Sequence, residues 1–292
     1  MRQLLRQGIE SLPAPLPGWI QGTFRYLRHP RVRARRRVHR RILGKLGSPG
    51  RVSQGPFQGM RYIPLAHGSE VLPKLVGTYE RELVPALERI CRSGCDRIVD
   101  IGAAEGYYAV GMALRCPRAQ VVAFEINRSA RHDLRRLARC NGVSGRIAIP
   151  GGCSVESLAD SLAGAHRPAV ICDCEGAEDA LLDPDRIEGL RRALILVETH
   201  DGLETDGQVL EGISRRLRER FEPTHDIEII VSRPRSRDEL PPACAALSDD
   251  EAAEAMDEGR PWAQWLFLEP KPGTRRAARD AGSVAELAGS SH

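Results

Sequence analysis

A glycine-containing turn between a buried strand and a helix constrains this chain more than any other feature of its sequence. Residues 97–107 indicate an apolar strand followed by a tight turn that opens a helix. A second apolar strand at 121–125 ends in the carboxylate Glu125. Open α/β sheets bind nucleoside cofactors at such turns, beyond the carboxyl ends of their strands. The two segments therefore predict a Rossmann-like sheet with a nucleoside-cofactor site.

The spacing of small residues in the turn separates two cofactor classes. With Gly102 as the first glycine of a dinucleotide fingerprint, Tyr107 falls where a third glycine would let the helix pack closely on the strand. A tyrosine fits poorly there. The spacing Asp100-x-Gly102-x-Ala104-x-Gly106 instead resembles the acidic glycine loop of S-adenosylmethionine (SAM) methyltransferases, with alanine in place of the middle glycine. The turn therefore favours SAM over NAD.

Apolar strands alternate with amphipathic helices from residue 96 onward. This alternation predicts an α/β fold with a mostly parallel, seven-stranded sheet covered by helices on both faces. No long helix separates the last two strands, so the final strand is expected to be antiparallel, as in the methyltransferase variant of the fold. The predicted strands are 97–101, 120–124, 146–149, 168–172, 193–198, 226–231 and 264–268. The predicted helices are 75–90, 106–115, 128–141, 154–163, 177–191 and 207–220.

Two polar positions follow the second and third predicted strands. Glu125 lies where a carboxylate can accept hydrogen bonds from both ribose hydroxyls, and Ile126 would border the adenine. Ser154 lies where contacts to the adenine edge usually arise, but it is equally suited to be the N-cap of the following helix. A surface glutamate at a strand end is the alternative interpretation of Glu125.

Four ionisable residues follow the fourth and fifth predicted strands and are expected to converge at the reactive end of the cofactor. They are Asp173, Glu175, Glu198 and His200. A histidine beside carboxylates is suited to act as general base toward an acceptor hydroxyl or amine, so we predict that His200, Asp173 and Glu175 are catalytic. Alternatively, Asp173 and Glu198 are suited to hold Mg²⁺, which prefers carboxylates and water. A merely solvated acidic rim is the third interpretation.

Five segments together resemble the FkbM-type family of SAM-dependent methyltransferases. They are 77–80, 100–107, 124–125, 173–178 and 197–200. The resemblance implies SAM as cofactor, with Asp173 and Glu175 near the methyl group and with Tyr79 and Glu80 closing over the cofactor. It also implies a hydroxyl acceptor on a sugar, a natural product or a glycan. The residues expected to contact SAM are Tyr79, Glu80, Asp100, Gly102, Ala103, Glu105, Gly106, Tyr107, Glu125, Ile126, Ser154 and Asp173.

The N-terminal residues carry most of the basic charge. Residues 1–51 hold thirteen Lys and Arg but one acid, Glu10, although the whole chain has a net charge of only +4. Val38 and Ile42 recur at helical spacing among the arginines, which indicates a basic amphipathic helix. Such an arm is suited to nucleic acid, to an anionic membrane surface, or to packing on the acidic remainder or on a second subunit in a homo-oligomer.

The sequence divides into four predicted segments. They are a basic arm at 1–50, an N-terminal segment with a cap helix at 51–95, a SAM methyltransferase domain at 96–270 and a disordered tail at 271–292. The eight cysteines lack paired zinc spacing, so we interpret them as reduced thiols of a cytoplasmic protein. A peripheral location at the inner membrane face is the alternative that the basic arm leaves open. A metal or redox pair at Cys172 and Cys174 is the minor alternative.

The predicted function is transfer of a methyl group from SAM to the hydroxyl of a small molecule or saccharide by in-line displacement. Two alternatives remain open. One is an RNA or protein methyltransferase that uses the basic arm to hold its acceptor. The other is a non-catalytic scaffold that binds SAM.

Overall fold

The computed structural model describes residues 30–47, 50–202, 204–205, 208–260 and 262–272. The chain divides into two compact units, Met1–Ser48 and Pro49–His292. In the first unit, the predicted basic helix is present as α1 (Pro30–Lys45). Residues 1–29 of the predicted basic arm and nearly all of the predicted tail lie outside the described residues. Among the described residues, no helix is both long enough and apolar enough to cross a membrane.

The second unit contains the predicted seven-stranded sheet, with the strands in the order β3-β2-β1-β4-β5-β9-β8. Strands β1 to β5 pair in parallel, and β9 runs antiparallel to both β5 and β8, which confirms the expected reversed final strand. Two short strands, β6 and β7, form a separate antiparallel pair. The strands are β1 (Arg97–Ile101), β2 (Gln120–Phe124), β3 (Ile147–Ala148), β4 (Pro168–Cys172), β5 (Leu194–Glu198), β6 (Glu204–Thr205), β7 (Gln208–Val209), β8 (His225–Val231) and β9 (Gln264–Pro270).

Eight further α-helices are described in this unit. They are α2 (Val71–Val76), α3 (Val84–Arg92), α4 (Tyr107–Arg115), α5 (Arg128–Cys140), α6 (Val155–Leu162), α7 (Glu178–Leu181), α8 (Ile213–Phe221) and α9 (Asp249–Met256). Both faces of the central strands are buried. On one face, Val99 and Ile101 of β1 share an apolar core with α6 and α8. On the other, Ile98 and Asp100 are buried as well, and α4 packs against β1 and β2.

Three predicted helices differ in the structure. The helix expected at 75–90 is interrupted, because Gly77 adopts φ +82° and ends α2. Helix α3 begins separately at Val84, with Pro85 in its first turn. The helix expected at 177–191 is reduced to α7, since Pro184 interrupts the segment before a 3-10 turn at Glu188–Arg192.

The third difference concerns the segment before β8. Helix α8 begins at Ile213 instead of near residue 207, because Gly212 adopts φ +70° and β7 occupies the preceding positions. The carboxylate of Asp201 accepts the backbone N–H groups of Ile213 and Ser214 at 2.7 and 2.9 Å, which satisfies the free donors of this helix end. Before α2, Arg51 and Arg61 form an isolated antiparallel bridge.

Candidate active site

A cavity of about 640 Å³ opens at the carboxyl ends of β1, β2, β4 and β5. Its volume falls within the range of about 300–1,000 Å³ that is typical of small-molecule sites. Most of the predicted site residues line it, which brings the separate sequence segments into one place. Those residues are Tyr79, Asp100, Gly102, Ala103, Tyr107, Glu125, Ile126, Asp173, Glu175, Glu198 and His200.

The turn after β1 has a backbone that small residues alone permit. Gly102 adopts φ +83°, and a Cβ atom there would lie 1.7 Å from the carbonyl oxygen of Asp173. Ala104 occupies the position of the missing middle glycine and adopts φ +47°, a left-handed conformation that costs an L-residue about 1–2 kcal/mol. Gly106, at φ +97°, packs against the side chain of Leu134 and does not line the cavity. The turn is therefore held tightly against the loop after β4.

The carboxylate of Glu125 is fixed at the end of β2 by two backbone donors. Its Oε2 accepts the N–H of Ala104 at 2.8 Å, and its Oε1 accepts the N–H of Asn127 at 2.6 Å. Each oxygen retains a lone pair for a second donor. The neighbouring Ile126 is 81% exposed at the rim of the cavity, where it can pack on a flat ring.

Asp100, the next-to-last residue of β1, is a buried carboxyl group without a complete set of partners. Burial, followed by the negative charge of Asp173, raises its pKa to about 8. Its Oδ2 atom is buried and accepts no hydrogen bond from the described residues. Burial of a carboxyl group with an unpaired oxygen costs desolvation free energy, and a cation or hydrogen-bond donor beside it would relieve that cost.

His200, which follows β5, lies among three acidic side chains from the segment after β4. Its Nδ1 is 2.7 Å from Oε1 of Glu178, a carboxylate that is fully buried. Its Nε2 is 3.5 Å from Asp173 Oδ1 and 3.6 Å from Glu175 Oε2. Burial lowers the pKa of His200, but the hydrogen bond and the charge of Glu178 outweigh it and raise the pKa to about 9.

The raised pKa of His200 bears on its predicted role as general base. At neutral pH the imidazole already carries its second proton, so it cannot accept another in the resting protein. Asp173 fits that role better, since burial raises its pKa to about 6 while His200 opposes the shift. The residue suited to accept a proton is thus the aspartate, and His200 supplies positive charge beside it.

Glu198 is engaged in a buried charge network centred on Arg260. The Nη1 of Arg260 donates to Glu198 Oε1 at 2.7 Å, and its Nη2 donates to Glu80. Glu80 also accepts the hydroxyl of Tyr108 and lies behind the cavity wall rather than in it. Asp173 and Glu198 were predicted as a metal-binding pair. Arg260 occupies one oxygen of Glu198, which leaves the other oxygen for such a role.

Two further predicted contacts lie outside the cavity wall. Glu105 forms a buried ion pair with Lys74 at 2.5 Å. Burial raises the pKa of the carboxyl group, but the charge and hydrogen bond of Lys74, together with the hydrogen bonds from Tyr62 and His67, lower it overall. Ser154 is the N-cap of α6, in a capping box with Ser157. Neither residue lines the cavity, whose wall instead includes the preceding residues Ala104 and Cys153.

Several lining residues carry no signal that sequence reasoning used. They include His67, Lys74, Glu258, Arg260 and Trp262. Lys74 lies on the short helix α2, and the others lie in irregular segments without apolar periodicity. Trp262 is 50% exposed at the cavity.

The chain resembles methyltransferases in sequence over a limited segment. No protein-family model matches it. The release factor glutamine methyltransferase of Chlorobaculum tepidum is 37% identical over 98 residues, which are 31% of this chain and 33% of that protein. The chain thus spans about a third of the length of this curated relative.

Solved structures with a related arrangement are methyltransferases of low identity. The O-methyltransferase from Bacillus cereus in complex with S-adenosylhomocysteine (SAH) is 13% identical, with a TM-score of 0.42 over 63% of this chain and 79% of that one. The precorrin-6y C5,15-methyltransferase from Geobacter metallireducens is 12% identical, with a TM-score of 0.44 over 66% and 90%. At these values the similarity bears on neither acceptor nor mechanism.

Proposed function

We propose that this chain is a SAM-dependent methyltransferase that transfers the methyl group to a hydroxyl of a small molecule or saccharide. One observation carries the proposal. A single cavity presents the fixed Glu125 carboxylate, suited to a ribose, and the partly unpaired Asp100 carboxyl group, suited to a cationic amino acid. SAM contains both of these groups, whereas NAD carries a pyrophosphate that an acidic pocket would repel.

The proposed placement of the cofactor follows the charges around the cavity. The adenosine lies toward Glu125 and Ile126, and the methionine end lies toward Asp100 and the turn at Gly102. The methyl group then points toward Asp173, Glu175 and other acidic side chains at the ends of β4 and β5. These assignments agree with those that the FkbM resemblance implies.

Methyl transfer at such a site needs positioning more than covalent help. The acceptor oxygen attacks the methyl carbon, the C–O bond forms as the C–S bond breaks, and the electron pair of that bond leaves on sulfur as SAH. The hydroxyl proton passes to the carboxylate of Asp173, whose pKa of about 6 leaves it ionised at neutral pH. General-base assistance of this kind contributes roughly 10²–10⁴-fold to the rate.

A protein acceptor is the second candidate function, favoured by the sequence similarity to a release factor glutamine methyltransferase. A glutamine amide is a poorer nucleophile than an alkoxide and gains most from hydrogen-bond acceptors near the methyl group. The carboxylates at the ends of β4 and β5 supply such acceptors. The chemistry of the site thus admits this acceptor, and the choice rests on experiment.

The test is methyl incorporation from radiolabelled SAM by the full chain. We would compare hydroxylated saccharides and phenols with a glutamine-containing release factor and with RNA. The matched control for each acceptor is Glu219→Gln, since Glu219 is 62% exposed on α8 and does not line the cavity. Incorporation into hydroxylated acceptors, lost in Asp173→Asn and retained in the control, supports the proposal. Incorporation only into protein or RNA contradicts the proposed acceptor class.

A further inference from the structure

We propose that Asp173, Glu175 and His200 form a divalent-cation site at the acceptor end of the cavity. Each residue offers one ligand atom, and these three atoms lie within 4.8 Å of one another. The site is distinct from the pair that the sequence suggested, because it uses Glu175 and His200 in place of Glu198. Its role in methyl transfer rests on the proposed function, but binding of the cation does not.

The distances around His200 fit three ligands around one metal ion better than direct hydrogen bonds from the histidine to the two carboxylates. Its Nε2 is 3.5 Å from Asp173 Oδ1 and 3.6 Å from Glu175 Oε2. Both separations are longer than the roughly 2.7–3.2 Å of a normal N–H···O hydrogen bond. Atoms bound to one metal at about 2.0–2.2 Å lie about 3 Å apart, so a small contraction around an ion completes the geometry.

The second ring nitrogen of His200 has the kind of partner that metal-binding histidines use, a buried carboxylate. Its Nδ1 is bonded to the buried Glu178, which fixes the ring and directs Nε2 into the cavity. Glu178 is itself held, because its Oε1 accepts the backbone N–H of Gly176 at 3.0 Å. A carboxylate behind a histidine orients the ring toward a metal and raises its basicity.

The carboxylate of Glu198, at the same end of the cavity, also indicates a site for a cation. Glu198 lines this cavity with a side chain that is only 6% exposed, and its Oε1 is bonded to Arg260. Its Oε2 is buried and has no hydrogen-bond partner among the described residues. A buried carboxylate oxygen is costly unless water, a donor or a cation meets it. A metal-bound water beside Asp173 and Glu175 would supply that donor.

The ligand types favour a first-row transition-metal ion over Mg²⁺ or Ca²⁺. Mg²⁺ and Ca²⁺ prefer oxygen ligands throughout, whereas imidazole suits first-row transition metals. Two carboxylates and one imidazole therefore favour Mn²⁺ or a similar ion. Three protein ligands leave coordination positions for water and for an acceptor oxygen. The ion would displace the second proton of His200, because a metal binds the neutral imidazole. With Asp173 also bound to the ion, the proton of an acceptor hydroxyl would pass to solvent water instead of to the aspartate, and it would leave more readily because the cation stabilises the alkoxide.

The test is titration of the full chain with Mn²⁺, in which the free ion is followed by electron paramagnetic resonance. We expect about one Mn²⁺ per chain and an affinity at least about 10–100-fold lower in Glu175→Gln and in His200→Asn, since loss of a partner behind a metal ligand already costs that much, with Glu219→Gln unchanged. Glu175 is 70% exposed, so its substitution leaves the fold intact even where His200→Asn does not. Equal Mn²⁺ affinity in wild type and Glu175→Gln overturns the site. Competition by Mg²⁺ or Ca²⁺ at equal concentration overturns the stated preference.

SAM binding is measured by calorimetry on the same samples to separate the two proposals. A chain that binds SAM but no Mn²⁺ contradicts the cation site and leaves the methyltransferase proposal standing. A chain that binds Mn²⁺ with the expected variant pattern but no SAM supports the site and contradicts the proposed function.

Discussion

Substitution of Glu125 probes the proposed ribose contact most directly. Its two carboxylate oxygens are fixed by backbone donors, and each can accept one hydroxyl of a ribose. A hydrogen bond to a charged group contributes about 1.5–3 kcal/mol, so the loss of two in Glu125→Ala removes about 3–6 kcal/mol. At about 1.4 kcal/mol per tenfold, we expect the Kd for SAM to rise roughly 10²–10⁴-fold.

The assay is calorimetric titration of the full chain with SAH, the stable product. Glu125→Gln keeps the shape and one acceptor oxygen, and it should weaken binding by an intermediate factor. An analogue of SAH that lacks both ribose hydroxyls provides the second arm of a double-mutant cycle. If Glu125 binds the ribose, wild type loses affinity for the analogue and Glu125→Ala loses little more.

Two results would refute the reasoning for Glu125. One is an unchanged Kd for SAH in a Glu125→Ala protein that remains folded by circular dichroism. The other is full additivity between the substitution and the missing hydroxyls, because independent effects mean that the carboxylate does not contact the ribose. The substitution also frees the N–H groups of Ala104 and Asn127, so the thermal midpoint of the variant must lie well above the temperature of the titration.

Three further substitutions test other parts of the site. Because the pKa of Asp100 is higher in the folded chain than in the unfolded chain, folding stability falls as pH rises from about 4 to 8. Asp100→Asn should flatten this dependence of the thermal midpoint on pH, and an unchanged dependence would contradict the raised pKa. Arg260→Met leaves Glu80 and Glu198 without their cation and should cost about 3–5 kcal/mol in urea unfolding, whereas a neutral effect would rule out the network. Ala104→Gly should add about 0.5–1 kcal/mol by relieving its left-handed backbone, and a loss of stability would contradict that strain.

The sheet was predictable because its strands carry strong local patterns. The bounds of β1, β2 and β4 match the predictions because each strand is a short apolar run closed by a turn signal or a carboxylate. The positions of Asp100 and Glu125 at strand ends followed from the same pattern. Parallel strands place their carboxyl ends at one edge, so convergence of the acidic residues there was also predictable.

The irregular segments were not predictable, and they supply the rest of the site. Arg260 and Trp262 lie between α9 and β9, where no periodicity indicates which side chains turn inward. The positions of Glu80 and Glu105 outside the cavity wall were not predictable, because their burial depends on distant partners, Arg260 and Lys74, that sequence spacing cannot reveal. The protonated state of His200 likewise depends on contact with Glu178, which lies on another element.

The central claim is that the cavity at the ends of β1 and β2 binds SAM. The most direct measurement is calorimetric titration of the folded full chain with SAM, with NAD as comparator and Glu125→Ala as the site variant. We predict saturable one-to-one binding of SAM, no response to NAD and a strong loss of affinity in the variant. A folded chain that binds no SAM, or binds NAD in its place, would contradict the account.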